Sequence, residues 1–322
     1  MEEAIKNFPQ QFEFVPEVVN ETNLKKSDKF IICGMGASHL GASILKRENP
    51  TLDLLIHRDY GLPRVPEYFL KNALIILSSY SGDTEEVLDV AKLGKEKGLT
   101  LAIVATDGKL LEFARDNNIP FIKFPDTKIE PRMALGFSMI ALARLMQDSN
   151  LEEKIKFSGN RIDPQDSREV GEDLATVLRD KIPLVYSSTL NLPLAYIWKI
   201  KFNETGKIPA FYNCFPELNH NEISGFDMHD NTEELSEKFN PIFLTDDEDD
   251  ERIKKRMDIM EQLFLDRSIN VTRIPLEGDN TFTKIFRSAL LAEWTALNLA
   301  NYYGEPDAET PLISEFKKKM GQ

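Results

Sequence analysis

The chain has 322 residues, 42% hydrophobic and 29% charged, a composition typical of a folded globular protein. Its formal net charge of −14 at pH 7 argues against an electrostatic surface for nucleic acid or anionic membranes. No apolar run reaches the roughly 18 residues that a membrane span needs, and the N-terminal residues carry no recognisable secretion signal. Only two cysteines occur, far apart in the chain, so we expect a cytoplasmic protein without a disulfide framework.

The first half of the chain alternates apolar runs of strand length with helical patterns. Strands are predicted at 30–34, 73–79, 100–106 and 120–124, because these runs are rich in Ile, Leu and Val and show little polar alternation. A helical pattern covers 83–97. Such alternation predicts the α/β fold class with a doubly wound parallel sheet.

The second half repeats this alternation after a polar stretch. Its predicted strands lie at 182–188, 240–246 and 271–278, and its predicted helices at 190–205, 249–265 and 281–302. We interpret the polar stretch at 148–173 as a linker, which divides the chain into subdomains 1–150 and 151–322. The acidic run at 246–252 is interpreted as capping and solvating the next helix rather than binding a cation.

Two junctions between a predicted strand and the segment after it are rich in glycine and hydroxyl residues. The first, GMGAS at 34–38, offers Gly36 and Ser38. The second, SSYSGDT at 78–84, offers Ser79, Ser81 and Thr84. In a doubly wound sheet, ligands bind beyond the carboxyl ends of the strands, where helix N-termini present free N–H groups. These loops therefore predict a binding site for a phosphate group.

Other interpretations of the two loops were weighed. Either loop could be a turn without a ligand. The first is not a dinucleotide fingerprint, because His39 stands where a third glycine is needed, and the chain has no P-loop pattern. The second carries Asp83, whose charge would oppose a phosphate, and we expect this carboxylate to cap the following helix instead.

These loops and the later segment PELNHNE at 216–222 resemble, in order and spacing, the bifunctional phosphoglucose/phosphomannose isomerases of the sugar-isomerase (SIS) fold. The resemblance implies two SIS-type α-β-α subdomains. It also implies metal-independent interconversion of glucose 6-phosphate, and of mannose 6-phosphate, with fructose 6-phosphate through an enediol and without a cofactor. A homodimer is implied as well, in which His220 reaches the active site of the neighbouring subunit.

The resemblance assigns roles to five residues. Glu204, at the end of the helix from 190, matches the base that removes the carbon-bound proton. His220, sixteen residues later (220 − 204), matches the group that opens the sugar ring. Arg132 in EPRMALG matches the arginine that stabilises the enediolate. In TPLISEFKKKM, Lys317 matches a lysine that assists ring opening, and Thr310 a threonine that makes room for the mannose epimer.

Several alternatives remain for these assignments. On the residues alone, Glu204 is an ordinary solvated charge and His220 an ordinary turn residue. Lys318 and Lys319 compete with Lys317 for the same role. Further candidates are Glu217 and Glu222 for the base and His229 for the histidine.

Zinc chemistry and other functions were also considered. The histidines and cysteines show neither HExxH nor CxxC spacing, so no metal site is predicted. The alternative functions are an SIS isomerase for a different phosphosugar and a non-catalytic sugar-phosphate sensor. The sensor is disfavoured, because regulators of this kind carry a basic DNA-binding domain and the acidic chain has no room for one before Phe30.

Overall fold

The structure is a computed structural model that describes residues 1–227 and 231–320. Its strands are β1 (Val18–Val19), β2 (Phe30–Cys33), β3 (Leu54–His57), β4 (Leu74–Ser78), β5 (Thr100–Ala105), β6 (Phe121–Lys123), β7 (Ile182–Ser188), β8 (Phe211–Phe215), β9 (Phe239–Thr245) and β10 (Thr272–Pro275). Its helices are α1 (Glu2–Lys6), α2 (Leu40–Glu48), α3 (Glu67–Asn72), α4 (Glu85–Glu96), α5 (Gly108–Asp116), α6 (Leu135–Leu145), α7 (Ser149–Gly159), α8 (Arg168–Val177), α9 (Leu192–Glu204), α10 (Glu233–Ser236), α11 (Glu251–Leu265), α12 (Thr281–Tyr303) and α13 (Pro311–Met320).

The chain folds into two compact units. The N-terminal unit comprises Asn7–Arg161 and Pro311–Gln322, and the C-terminal unit comprises Met1–Lys6 and Ile162–Thr310. The sequence predicted a single boundary after residue 150, whereas here each end of the chain joins the opposite half. Within the described residues, none of the helices has both the length and the apolar composition needed to cross a membrane.

The sheet of the N-terminal unit has the strand order β1-β6-β5-β4-β2-β3, and all its pairings are parallel except that of β1 with β6. From β2 the chain moves outward to β3, then returns to the other side of β2 to form β4. The topological switch point of this sheet therefore lies between β2 and β4, and ligands of doubly wound folds bind at the carboxyl ends of such strands.

The sheet of the C-terminal unit is parallel throughout, in the order β10-β9-β7-β8. Its switch point lies between β7 and β9, because β8 extends the sheet on one side of β7 and β9 on the other. One mostly parallel sheet and one parallel sheet, with helices between their strands, confirm the predicted α/β class.

The fully covered strands agree closely with the predictions. β2 and β4 are buried along their whole length, as expected for parallel strands with helices on both faces. The sequence prediction missed β1, which has two residues, and the sheet-edge strands β3 and β8. Most of β3 and β8 is only half-buried or exposed, so their residues lack a continuous apolar run.

The polar stretch predicted as a linker over 148–173 contains the boundary between the two units, between Arg161 and Ile162. Most of this stretch is helical, in α7 and the first part of α8. These helices are amphipathic and polar on most of their surface: α7 buries Ile155, and α8 buries Leu174 and Ala175. Most charged residues of α7 and α8 are exposed, whereas Glu152 is buried and pairs with Arg144 and Lys156.

Candidate active site

The two predicted loops meet at the switch point of the N-terminal unit, since GMGAS follows β2 and SSYSGDT follows β4. The Ser78 hydroxyl donates to the backbone oxygen of Ser38 at 2.8 Å, and the Tyr80 backbone N–H donates to Ser38 Oγ at 3.2 Å. The structure thus joins the two loops through Ser38, which is half-buried. The two loops lie at the carboxyl ends of β2 and β4, where a doubly wound sheet binds its ligand.

Hydroxyl groups also fix the inner shape of the second loop. Ser79 is fully buried, its Oγ lies 2.7 Å from Thr84 Oγ1, and the Gly82 N–H donates to Ser79 Oγ at 3.1 Å. Thr84 is half-buried and Ser81 is exposed. Ser79 therefore holds the turn, whereas Ser81 and Thr84 remain the side chains able to reach a ligand.

Glycine is required at Gly82 for both conformation and space. Its φ of 81° lies in the left-handed region, and a Cβ there would come within 1.7 Å of the Asp107 carbonyl oxygen. Gly36 in the first loop also has a positive φ, 52°, but a Cβ there would meet nothing within 4 Å. The first loop is therefore open at Gly36, which leaves room for a ligand close to the backbone.

Asp83 does not cap the helix that follows it. The expected helix, α4, begins after Thr84 without a side-chain cap, and Asp83 Oδ1 instead accepts from the Lys109 N–H at 3.1 Å, in the first turn of α5. An acidic side chain at a helix N-terminus is favoured by the partial positive charge there. The carboxylate thus has a structural partner, and its presence does not argue against a phosphate at the loops.

Arg132 lies beside the first loop. It belongs to a 3-10 turn, Pro131–Met133, that packs against the 3-10 turn Gly36–His39 within the same unit. Arg132 is only 2% exposed, and its Nη1 donates to Glu130 Oε2 at 3.4 Å. The guanidinium is therefore buried rather than part of an exposed ion pair.

Lys207, a residue that sequence analysis missed, links the backbone at Glu204 to the segment that leads into Thr310. Glu204 is the last residue of α9 and is half-buried. Lys207 Nζ donates to the Glu204 backbone oxygen at 2.6 Å and also to that of Glu309, next to Thr310. Lys207 has a φ of 58°, an uncommon conformation for a non-glycine residue that turns the chain sharply after α9.

His220 lies exposed in the 3-10 turn Glu217–His220, just after β8. The loop around it is well anchored, because Leu218 is fully buried and the Arg256 guanidinium donates to Asn219 Oδ1 at 3.3 Å. A histidine presented outward by a fixed loop is suited to contact a ligand or a second subunit.

Glu222, an alternative base, is occupied by two donors. Tyr186 OH donates to Glu222 Oε1, and Asn213 Nδ2 donates to Oε2 at 2.5 Å. Burial, followed by the nearby Glu222 charge, raises the pKa of Tyr186, so the phenol stays protonated and remains a donor. The other alternative, Glu217, is exposed and accepts from Asn221 Nδ2 at 2.9 Å. Two hydrogen bonds therefore hold the Glu222 carboxylate within the fold.

The remaining candidates are the three lysines of α13 and His229. Lys317, Lys318 and Lys319 are all exposed on α13, where Lys319 pairs with Glu315 at 2.6 Å, so all three stay candidates. His229 lies outside the described residues. Within 1–227 and 231–320, no group of three or more His, Cys, Asp or Glu side chains could hold a metal ion.

The acidic run is only partly a solvated cap. Asp250 caps α11 as predicted, accepting from the Arg252 N–H at 2.8 Å. Asp246, however, is 3% exposed and pairs with buried Lys284 at 2.8 Å, while Asn191 Nδ2 donates to its other oxygen at 3.0 Å. This network lies at the carboxyl ends of β7 and β9, which is the switch point of the C-terminal sheet.

A substitution at Thr84 tests the phosphate loop. Thr84→Val keeps the side-chain shape but removes the hydroxyl, and a hydrogen bond to a charged group contributes about 1.5–3 kcal/mol. We therefore expect KM for a phosphosugar to rise about 10- to 150-fold. Thr176→Val, at an exposed position of α8, is the matched control and should leave KM unchanged. An unchanged KM for Thr84→Val would mean that Thr84 does not bind the phosphate.

Comparison with known proteins gives a consistent result. A family model described as the bacterial phospho-glucose isomerase C-terminal SIS domain matches residues 168–320. The bifunctional phosphoglucose/phosphomannose isomerase of Caldicellulosiruptor bescii is 31% identical, with 100% of this chain and 99% of that protein aligned. The protein of the same name from Aquifex aeolicus is 27% identical over 98% of this chain and 97% of its own length.

A solved structure supports the fold independently. The glucosamine-6-phosphate deaminase of Thermotoga maritima superposes with a TM-score of 0.68 over 96% of both chains, at 15% identity. That similarity concerns the fold alone, whereas the two sequence matches cover 99% and 97% of those relatives. The chain therefore belongs to the family of bifunctional phosphoglucose/phosphomannose isomerases.

Proposed function

We propose that the chain is a metal-independent isomerase that interconverts glucose 6-phosphate, and also mannose 6-phosphate, with fructose 6-phosphate. The observation that carries this proposal is the pair of glycine- and hydroxyl-rich loops tied together at the switch point of the N-terminal unit, in a chain of this family. Several hydroxyl and N–H donors at one sheet edge match the acceptor oxygens of a phosphate group.

The proposed chemistry is proton transfer through an enediol. The Glu204 carboxylate removes the proton beside the carbonyl and returns it to the neighbouring carbon. The Arg132 guanidinium stabilises the negative charge that develops on the enediolate oxygens. His220 and Lys317 move protons during ring opening, and Thr310 leaves room for the C2 epimer.

The proposal includes a homodimer located in the cytoplasm, with His220 serving the active site of the neighbouring subunit. The outward position of His220 on an anchored loop supports this arrangement. In the sensor alternative, sugar phosphates bind at the same loops but are not converted. In the other alternative, a different phosphosugar is isomerised.

An assay with both epimers tests the proposal. Purified chain is incubated separately with glucose 6-phosphate and mannose 6-phosphate, and fructose 6-phosphate is measured with and without excess chelator. We expect product from both substrates and no loss of rate in chelator. Binding without conversion would favour the sensor. Loss of activity that is restored by an added metal would contradict the metal-independent mechanism.

A further inference from the structure

A buried ion pair lies directly behind the last turn of α9. Lys201 Nζ is 2.5 Å from Glu293 Oε2 of α12, and the Thr205 hydroxyl donates to Glu293 Oε1 at 2.7 Å. Glu293 and Thr205 are fully buried and Lys201 is 5% exposed. Each oxygen of the Glu293 carboxylate thus contacts a different side chain at the end of α9: Oε2 contacts Lys201, and Oε1 contacts Thr205.

The geometry of the helix connects this cluster to Glu204. Lys201 lies in α9 and Thr205 directly follows the last residue of that helix. The two are four residues apart, on the side of the helix that packs on α12. Glu204 directly precedes Thr205 and is turned from it by about 100° around the helix axis. Any rotation or fraying of this turn would therefore displace the Glu204 carboxylate.

Glu204 lies at the C-terminal end of α9, where a helix tends to be irregular and where a carboxylate is electrostatically disfavoured. Helix ends fray, and their last turns are often irregular. The C-terminal end of a helix also carries partial negative charge, which disfavours a carboxylate. Here the Thr205 and Gly206 N–H groups both donate to the Lys201 oxygen, at 2.9 and 3.0 Å. The side-chain cluster and these two backbone bonds fix the same turn.

A buried ion pair is poorly explained by stability alone, since replacing such a pair by apolar residues is often neutral or stabilising. We propose that Glu293, acting through Lys201 and Thr205, is a positioning residue that holds Glu204 in the geometry needed for proton transfer. This inference rests on the proposed role of Glu204 as the base. A displacement of about 1 Å can lower the rate of catalysis about 100-fold.

Thr205→Val is the sharpest test, because it keeps the side-chain shape and leaves the ion pair in place. With the purified full chain and glucose 6-phosphate, we expect kcat to fall about 10- to 100-fold while KM changes less than about twofold. Thr205→Ser restores the hydroxyl and should recover most of the kcat. The matched control is Ser288→Ala, which removes the 2.9 Å bond from Trp198 Nε1 between the same two helices.

The outcomes separate this proposal from the function on which it rests. If Thr205→Val lowers kcat no more than Ser288→Ala, at equal folded fraction by thermal melting, or if Thr205→Ser fails to recover it, Glu293 has only a structural role. If Glu204→Gln is inactive but Thr205→Val keeps the parental kcat, only the positioning proposal fails. If Glu204→Gln keeps the parental kcat, the base assignment and the positioning proposal fail together.

Discussion

Glu204→Gln is expected to lower turnover about 10²–10⁴-fold, which is the usual contribution of a general acid or base, with little change in KM. The amide keeps the size of the side chain but cannot accept the carbon-bound proton. Because every substrate form must pass this step, the loss should be equal for a cyclising sugar phosphate and an open-chain aldose phosphate. Steady-state kinetics on both substrates provides the measurement.

His220→Ala is the matched comparison for that variant. His220 is proposed to open the sugar ring, so its removal should slow turnover of the cyclic substrate far more than turnover of the open-chain one. Equal slowing of both substrates by His220→Ala would contradict the division of roles between base and ring opener. If Glu204→Gln turns over at the parental rate, the base is elsewhere, and Glu217 becomes the next candidate because Glu222 is held by two donors.

Lys284→Met is expected to destabilise the chain by about 3–5 kcal/mol, because it leaves the buried Asp246 carboxylate without its cation. Lys284 is 4% exposed and contacts Asp246, Asp247 and Glu248. Lys71→Met removes an exposed pair with Glu67 and is the control, with an expected loss below about 1 kcal/mol. Chemical denaturation of both variants measures the free energies of unfolding.

The effect of Lys284→Met should also depend on pH. Burial alone would raise the pKa of Asp246, but donation from Lys284, the Glu248 N–H and Asn191 lowers it to about 2. The unfolded value is about 3.9. The carboxylate therefore contributes stability above about pH 4, and this contribution is lost as the pH falls towards 2. The stability difference between parent and variant should narrow over the same range, and a constant difference would contradict this assignment.

The sequence predicted the central strands because their signal is strong and local. β2, β4 and β5 are buried on both faces and read as continuous apolar runs. β8 was not predicted, because an edge strand needs no continuous apolar run. This strand leads directly into the loop of His220. The helices α7 and α8 were taken for a linker, because their few apolar residues are spread among many charged ones.

The sequence predicted the parts of the site in which glycine and hydroxyl residues mark a loop. It did not predict the buried charged residues behind the site. Lysine and glutamate are almost always exposed, so nothing in the sequence marks Lys201 and Glu293 as a buried pair. The link from Lys207 to the segment of Thr310 joins residues about a hundred positions apart and depends on a positive φ. Such contacts become visible only when the chain is folded.

Proton NMR of fructose 6-phosphate in D₂O with the purified chain tests the central claim most directly. Proton transfer through an enediol predicts that glucose 6-phosphate and mannose 6-phosphate both appear, with deuterium incorporated at C2. It also predicts that the same sample with Glu204→Gln shows neither product over the same time. Fructose 6-phosphate that stays unchanged with the parent chain, or products that form equally fast with Glu204→Gln, would contradict the account.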